Sequence, residues 1–197
     1  MSFRIEKKIF VKKENYFDFK KYLSEKGIIQ LYQPRKINSV YFDNEQLGMY
    51  HDSIEGLLPR KKIRIRNYPD DNQNNFFVEY KISSVEGRFK TNRKISTTEK
   101  RNSIEKGFFD QKYGICKPTL NVAYNREYLI KDDVRITMDT NIDYSYFKKK
   151  QKIKDTNIVV ELKSSIKKDI DELFNQFPFQ EIRFSKYCNG IEILNLY

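Results

Sequence analysis

The sequence has few of the small residues on which some common folds depend. Only seven glycines occur among 197 residues, and alanine is scarce as well. Rossmann-type α/β proteins need small residues for their phosphate-binding loops and for close packing of helices on the sheet. We therefore do not expect a fold of that class. Tryptophan is absent too.

Cysteine, histidine and long apolar runs are also rare, which excludes further classes. Cys116 and Cys188 lie in unrelated contexts without metal-ligand spacing, so we interpret them as reduced thiols. No run of about 18 apolar residues is present to span a bilayer. The segment MSFRIEKKIF lacks the apolar stretch of a signal peptide. We expect a cytoplasmic protein.

Positive charge and aromatic rings are abundant instead. The chain has 38 Lys and Arg residues against 27 Asp and Glu, which gives a formal net charge of +11. A charge of this sign favours a polyanionic partner, such as nucleic acid, polyphosphate or an anionic membrane surface. With 15 Phe and 14 Tyr, aromatic rings must supply much of the buried area.

The pattern of apolar residues predicts one α+β domain over residues 1–197. No linker or low-complexity segment interrupts the chain. About eight strands with peripheral helices favour an antiparallel barrel or sandwich. Strands are predicted at roughly 3–11, 36–43, 60–68, 76–83, 87–96, 120–130, 133–142 and 157–165, and helices at 14–26, 98–106, 167–176 and 184–197.

Charged residues repeat at strand spacing, where residues i and i+2 share a face. Two interpretations remain open: a face in water with solubilising charges, or a face turned inward towards an anion. Arginine at the strand centres favours the inward interpretation, because a guanidinium group suits phosphate oxygens. Enclosed like charges would repel each other, so an inward face would require a bound anion. The sets that share a face are Arg4, Glu6 and Lys8; Lys62, Arg64 and Arg66; Glu79 and Lys81; Arg135 and Asp139; Glu161 and Lys163.

Seven short motifs occur in order along the chain: RIEKK, KIRIRNY, VEYK, YNRE, VRITMDT, VVELK and FSKY. Together they resemble the VTC domain, the polyphosphate polymerase branch of the triphosphate tunnel metalloenzymes. The resemblance extends from Arg4 to Lys186. It implies an eight-stranded antiparallel β-barrel, the triphosphate tunnel, with a basic interior and peripheral helices.

The resemblance also implies an activity and its residues. A VTC-type polymerase transfers the γ-phosphoryl group of ATP onto inorganic phosphate or a polyphosphate chain with Mn²⁺ or Mg²⁺. The implied catalytic phosphate-binding residues are Lys8, Arg64, Arg66, Lys81, Arg126, Arg135, Lys163 and Lys186. The implied metal ligands are Glu161 and Glu6. Further substrate contacts are expected from Arg4, Lys62 and Ser185, and from one of Lys90, Arg93 and Lys94, of which Arg93 is favoured.

Several alternatives stay open. Hydrolytic relatives begin with a Glu-x-Glu-x-Lys pattern, and Arg4 stands in the first position here, which favours polymerase chemistry. A tripolyphosphate or nucleoside-triphosphate hydrolase and a non-catalytic polyphosphate-binding module remain alternatives. Ser185 fits a helix N-cap as well as a phosphate ligand. The motifs do not favour nucleic acid as a partner. Export of a product would require a separate membrane protein.

Overall fold

The computed structural model describes residues 5–71, 75–147, 149, 151–165 and 167–196. Its strands are β1 Ile5–Lys12, β2 Ile29–Asp43, β3 Arg60–Asn67, β4 Phe76–Ser84, β5 Gly87–Ile95, β6 Phe108–Asp110, β7 Gly114–Lys131, β8 Val134–Tyr146, β9 Ile153–Asp155 and β10 Asn157–Ser164. Its α-helices are α1 Tyr16–Glu25, α2 Gly48–Glu55, α3 Thr97–Lys106, α4 Lys167–Phe174 and α5 Lys186–Ile193. None of these described helices is long and apolar enough to cross a membrane.

The strands form a largely antiparallel sheet, which confirms the predicted α+β class. Hydrogen-bonded neighbours follow the order β1-β10-β8-β7-β2-β3-β4-β5, with β6 beside β7 and β9 beside β8. Within the described residues this order has two ends, β1 and β5. The predicted closed eight-stranded barrel is therefore wrong, because the described residues form an open sheet of ten strands. Alternation along a strand specifies which face a residue occupies, but it does not specify which edges pair.

Most predicted elements are present, with different bounds. β2 starts at residue 29 rather than 36, and β7 and β8 are longer than predicted. The three-residue strands β6 and β9 are too short to produce a visible alternation, so they were not predicted. Gly27 follows α1 with φ +70°, as expected for the residue that ends a helix.

The chain divides into two compact units, and the prediction of a single domain over 1–197 stays a prediction. The first unit comprises Met1–Lys36, Tyr124–Ile142 and Lys154–Phe184. Its apolar core lies between one face of β1, β8 and β10 and the helices α1 and α4. The buried residues of this core are Ile9, Val11, Phe19, Leu23, Ile28, Leu129, Val134, Ile136, Met138, Ile158, Val160, Leu162, Ile170, Leu173 and Phe177.

The apolar face of the first unit determines where its charged residues lie. Ile9 and Val160 are fully buried and are direct neighbours across β1 and β10. Burying an aliphatic side chain of this kind contributes about 1.5–3 kcal/mol, so a strand shifted by one residue would lose several such contributions. The residues that alternate with these apolar residues along each strand, including Lys8 and Glu161, therefore project from the opposite face of the sheet.

The second unit comprises Ile37–Ala123, Asp143–Ile153 and Ser185–Tyr197. β3 pairs with β2 and β4, and β4 pairs with β5, all antiparallel. Ile63, Ile65 and Val78 are buried on one face of these strands. Ser96 begins α3 through a capping box with Glu99, in which each side chain accepts from the other residue's backbone N–H.

Gly190 allows α5 to pack closely in the second unit, which leads to a stability prediction. A Cβ at this position would lie 2.6 Å from Leu120 Cδ2 and 2.7 Å from Tyr144 Cδ1. Both neighbours are fully buried, so Gly190→Ala is expected to destabilise the fold by about 1–3 kcal/mol. Helix propensity alone predicts the opposite sign, about 1 kcal/mol of stabilisation.

Urea unfolding of Gly190→Ala measures this effect. Asn102→Ala, at an exposed position of α3, is the control for helix propensity without packing. A Gly190→Ala protein at least as stable as the parent would contradict the close packing of α5.

Candidate functional site

The first unit carries a charged face opposite its apolar core. Lys8 lies opposite Glu161 across β1 and β10, and Glu161 lies opposite Thr137 across β10 and β8. Because all three strands are in register, their polar residues form one continuous surface. We define the first charged face by these residues: Glu6, Lys8, Arg126, Arg135, Thr137, Asp139, Glu161 and Lys163.

Two lysines and two carboxylates form a network on the first charged face. Lys163 contacts Glu161 Oε1, and its Nζ lies 3.8 Å from Glu6 Oε2. Lys8 Nζ lies 2.7 Å from Glu6 Oε1 and also donates to the carbonyl oxygen of Phe184 at 3.1 Å. The two predicted metal ligands and two of the predicted phosphate-binding lysines are therefore in one cluster.

Glu161 is only 9% exposed within this network. Burial alone would raise its pKa, because a carboxylate loses hydration in a low-dielectric site. Lys163, Lys8 and Arg126 oppose this effect and hold the pKa of Glu161 well below its usual range. The surrounding cations therefore favour the charged form of this carboxylate.

Arg126 is held by a carboxylate that the sequence analysis did not assign to the site. Its Nε and Nη2 donate to Asp139 Oδ1 and Oδ2 at 2.6 and 2.7 Å, a bidentate pair. Burial alone would lower the pKa of Arg126, but the nearby Asp139 outweighs that effect and raises the pKa above its usual value. Asp139 is 1% exposed. It fixes the orientation of the guanidinium group on the first charged face.

The donor atoms of the first charged face fit a hard divalent cation. Glu6 and Glu161 offer carboxylate oxygens, and the buried Thr137 Oγ1, opposite Glu161, has no hydrogen-bond partner among the described residues. Within that part of the chain no three His, Cys, Asp or Glu residues are grouped to hold a metal. Mg²⁺ and similar ions commonly use one or two carboxylates and complete their coordination with water and phosphate oxygens.

A second charged face lies on β2, β3, β4 and β5 of the second unit, on the side of the sheet opposite Ile63 and Ile65. Lys62, Lys81 and Lys90 are direct neighbours across β3, β4 and β5. Like charges in adjacent positions destabilise a sheet, and a bound anion would relieve that repulsion. We define the second charged face by these residues: Tyr41, Lys62, Arg64, Arg66, Glu79, Lys81 and Lys90.

Glu79 is the one carboxylate of the second charged face and contacts three cations. Its Oε2 accepts from Arg64 Nε at 2.7 Å, and its Oε1 lies 3.4 Å from Arg66 Nη1 and 3.0 Å from Lys90 Nζ. Burial alone would raise the pKa of Glu79, but Arg64, Arg66 and Lys90 lower it to about 2. One negative charge against five cations leaves this face strongly positive.

The depressed pKa of Glu79 predicts a pH dependence of stability. The folded pKa of about 2 lies below the ordinary value of 4.5, so the stabilisation is complete above pH 4.5 and is lost as pH falls towards 2. Glu79→Gln should cost on the order of 2 kcal/mol at pH 7 after allowance for solvent screening. That cost should shrink as the pH falls below 4.5.

Thermal unfolding of the parent and Glu79→Gln between pH 7 and 2.5 measures this effect. Glu45→Gln removes an exposed carboxylate of the same unit and serves as the control. A stability difference between Glu79→Gln and the parent that does not change with pH would contradict the assignment.

Ser185 and Lys186 lie at the start of α5. Ser185 Oγ accepts from Cys188 N at 3.4 Å and from Lys62 Nζ at 2.8 Å. The N-cap interpretation of Ser185 is therefore confirmed, while its role towards phosphate stays a prediction. Lys186 occupies the first position of the helix, where backbone N–H groups favour an anion.

The remaining predicted residues lie in different places. Arg93 lies directly opposite the buried Val78 across β4 and β5, and it contacts Glu99 of α3 at 2.8 Å. Lys90 and Lys94 lie on the other face of β5, and it is Lys90 that contacts Glu79. The preference for Arg93 is therefore not supported by position.

Lys81 and Arg135 are exposed members of the second and first charged faces, respectively. Arg4 lies outside the described residues. The sequence reasoning did not assign Glu79 or Asp139 to the site, although both lie at strand centres among cations. An acid in that position was the signal that could have identified them.

Two antiparallel units, each with a face of arginine, lysine and carboxylate side chains, define a sheet protein with two candidate anion-binding faces. The chain belongs to the VTC domain family, whose family model matches residues 3–195. This confirms the resemblance seen in the sequence. A search of curated proteins finds no match to the chain.

Solved structures are similar in fold. A Bacillus halodurans protein described as a candidate adenylate cyclase has a TM-score of 0.65 at 17% identity, covering 94% of this chain and 96% of its own. A Vibrio parahaemolyticus protein with the same description has a TM-score of 0.61 at 12% identity, covering 97% and 98%. The PH1012 protein of Pyrococcus horikoshii has a TM-score of 0.54 at 14% identity, covering 87% of this chain and 85% of its own. At these identities the likeness shows the fold alone.

Proposed function

We propose that the protein is a metal-dependent polyphosphate polymerase that transfers the γ-phosphoryl group of ATP onto a phosphate chain. The observation that carries this proposal is the excess of positive charge on the second charged face. Its one carboxylate, Glu79, contacts Arg64, Arg66 and Lys90. Membership of the VTC domain family supports it. Phosphoryl transfer depends mainly on positioning and on neutralising phosphate charge, and this face supplies both.

The arginines and lysines have distinct tasks in this proposal. Arg64 and Arg66 bind non-bridging phosphate oxygens in the fork geometry that suits a guanidinium group. Lys62, Lys81 and Lys90 supply compact charge along the chain of phosphates. On the first charged face, Asp139 holds Arg126 ready for the same purpose.

The reaction needs no basic side chain to begin. An oxygen of the acceptor phosphate forms a bond to the γ-phosphorus, the bond from that phosphorus to the β–γ bridging oxygen breaks, and ADP leaves with the electron pair. The acceptor is already anionic near neutral pH, consistent with a chain that has one histidine. Glu161 and Glu6 would hold Mn²⁺ or Mg²⁺, which neutralises charge on the phosphate oxygens when it is bound.

Incubation with ATP and Mn²⁺, followed by electrophoresis of phosphate chains and assay of nucleotides, tests the proposal. The polymerase is expected to produce long chains and ADP in step with each other. Orthophosphate without chains would overturn it in favour of the hydrolase, and cyclic AMP with pyrophosphate in favour of cyclase chemistry. Binding of polyphosphate without turnover would indicate the non-catalytic module.

A further inference from the structure

Arg64 is held from two sides of its guanidinium group. On one side its Nε donates to Glu79 Oε2 at 2.7 Å, and on another its Nη1 donates to Tyr41 Oη at 2.9 Å. The guanidinium group is planar, so partners on two different nitrogens fix both its plane and its rotation within that plane. Tyr41 is the direct neighbour of Arg64 across β2 and β3.

Tyr41 is itself fixed by a second tyrosine. Its ring is 6% exposed and stacks on the ring of Tyr187 with centroids 5.2 Å apart and an interplanar angle of 24°. The Arg64 Cζ lies 5.7 Å from the centroid of the Tyr41 ring, within the range of a cation–π contact. Tyr41 therefore contacts Arg64 with both its hydroxyl group and its ring.

Tyr187 is anchored by a buried carboxylate. Its hydroxyl donates to Asp43 Oδ2 at 2.5 Å, and the same carboxylate accepts from the backbone N–H groups of Met49 and Tyr50 at 3.0 Å. Burial and then the nearby Asp43 raise the pKa of Tyr187, so its hydroxyl remains a donor. These contacts connect Asp43, Tyr187, Tyr41, Arg64 and Glu79 in one row, which we call the tyrosine relay.

We propose that Tyr41 and Tyr187 are positioning residues that orient Arg64 for phosphate binding. The inference rests on the proposed function for the identity of the ligand, and it adds two residues that touch no phosphate themselves. Glu79 Oε2 contacts Nε and Nη2 on one edge of the guanidinium group, and the hydrogen bond from Nη1 to Tyr41 restrains the other edge. Without Tyr41 that edge could shift away from the fork geometry. Small displacements of this kind cost binding and rate out of proportion to the contact removed.

Tyr41→Phe and Tyr187→Phe test the relay, because each removes one hydroxyl and keeps the ring. Tyr113→Phe is the matched control: its hydroxyl donates to Asp52 Oδ2 at 2.5 Å in the same unit, but it has no contact with Arg64 in the described structure. Calorimetric titration with tripolyphosphate gives affinity, and thermal unfolding gives stability. KM and kcat for ATP are measured where the parent turns over.

Tyr41→Phe is expected to weaken tripolyphosphate binding about 10-fold, the equivalent of one lost hydrogen bond to a charged group. Tyr187→Phe should weaken it about 3-fold, because the stacked ring still restrains Tyr41. Tyr113→Phe should bind as the parent does, whatever its effect on the melting temperature. In an Arg64→Ala background, Tyr41→Phe should cause no further loss, because the two residues act as one unit.

The outcomes separate this inference from the proposed function. If the parent does not bind tripolyphosphate, both are overturned. If the parent binds tripolyphosphate but makes no chains from ATP, only the polymerase proposal fails. The tyrosine relay is then tested by the tripolyphosphate affinities of Tyr41→Phe and Tyr187→Phe. Equal affinity of Tyr41→Phe and the parent overturns the relay, and so does an undiminished loss in the Arg64→Ala background. A melting temperature lowered without any change in affinity would show a purely structural role.

Discussion

Replacing Glu161 with glutamine is expected to abolish chain synthesis and to leave tripolyphosphate binding intact or tighter. The carboxylate is a proposed metal ligand, and loss of such a ligand should lower turnover by about 100-fold or more. It also neutralises part of the charge of Lys163, Lys8 and Arg126, as the lowered pKa of Glu161 indicates. Its removal makes the first charged face more positive, which favours an anion.

Glu127→Gln is the matched control for that substitution. Glu127 lies in the same unit and is also paired with a lysine, at 2.5 Å from Lys20 of α1, and it accepts from Tyr16. Because both of these partners belong to α1, which packs on the apolar side of the unit, Glu127 has no part in the first charged face. Electrophoresis of the products from ATP and titration with tripolyphosphate are run on all three proteins. Turnover retained in Glu161→Gln would contradict the metal assignment.

Replacing Arg64 with alanine is expected to weaken tripolyphosphate binding by about 100-fold, while Arg93→Ala binds like the parent. A charge-assisted contact of a half-buried arginine to phosphate is worth about 2–3 kcal/mol, which corresponds to that loss. Arg93 is 67% exposed and lies on the other face of the same sheet. Comparing the two variants therefore tests whether the position of the arginine matters for binding, and not only its charge. The two variants remove the same net charge.

Arg64→Lys sharpens this comparison. Lysine keeps the charge of Arg64 but cannot contact Glu79 and Tyr41 with separate nitrogens of one rigid plane. It should recover only part of the lost affinity, and more of it at low salt than at high salt. Equal losses for Arg64→Ala and Arg93→Ala, measured by calorimetry, would show that binding follows net charge alone.

The alternation of charged and apolar residues made the two faces predictable. Ile63 and Ile65 are buried opposite Arg64 and Arg66, as the spacing of KIRIRNY indicates. Since period two is a local property of a strand, the sequence suffices for this inference. The same reasoning could not establish closure, because the ends of the sheet at β1 and β5 depend on pairing between distant strands.

The partners of each charge were beyond the sequence for a related reason. Glu79 meets Lys90 because β4 and β5 pair in a particular register, and a register shift of two residues would preserve the alternation and change the partner. The contact of Tyr187 with Asp43 joins residues 144 positions apart, which no local pattern predicts. The position of Glu79 among cations indicated that it pairs with some of them. Its three partners, however, could be identified only from the structure.

Titration of tripolyphosphate into the parent protein, in low salt and without metal, tests the central claim most directly. If the charged faces are phosphate sites, binding is saturable, weakens as salt is added, and raises the melting temperature further as the tripolyphosphate concentration increases. The Arg93→Ala protein should give the same isotherm, and Arg64→Ala a much weaker one. No binding by the parent, with a melting temperature unchanged by tripolyphosphate, would contradict the account.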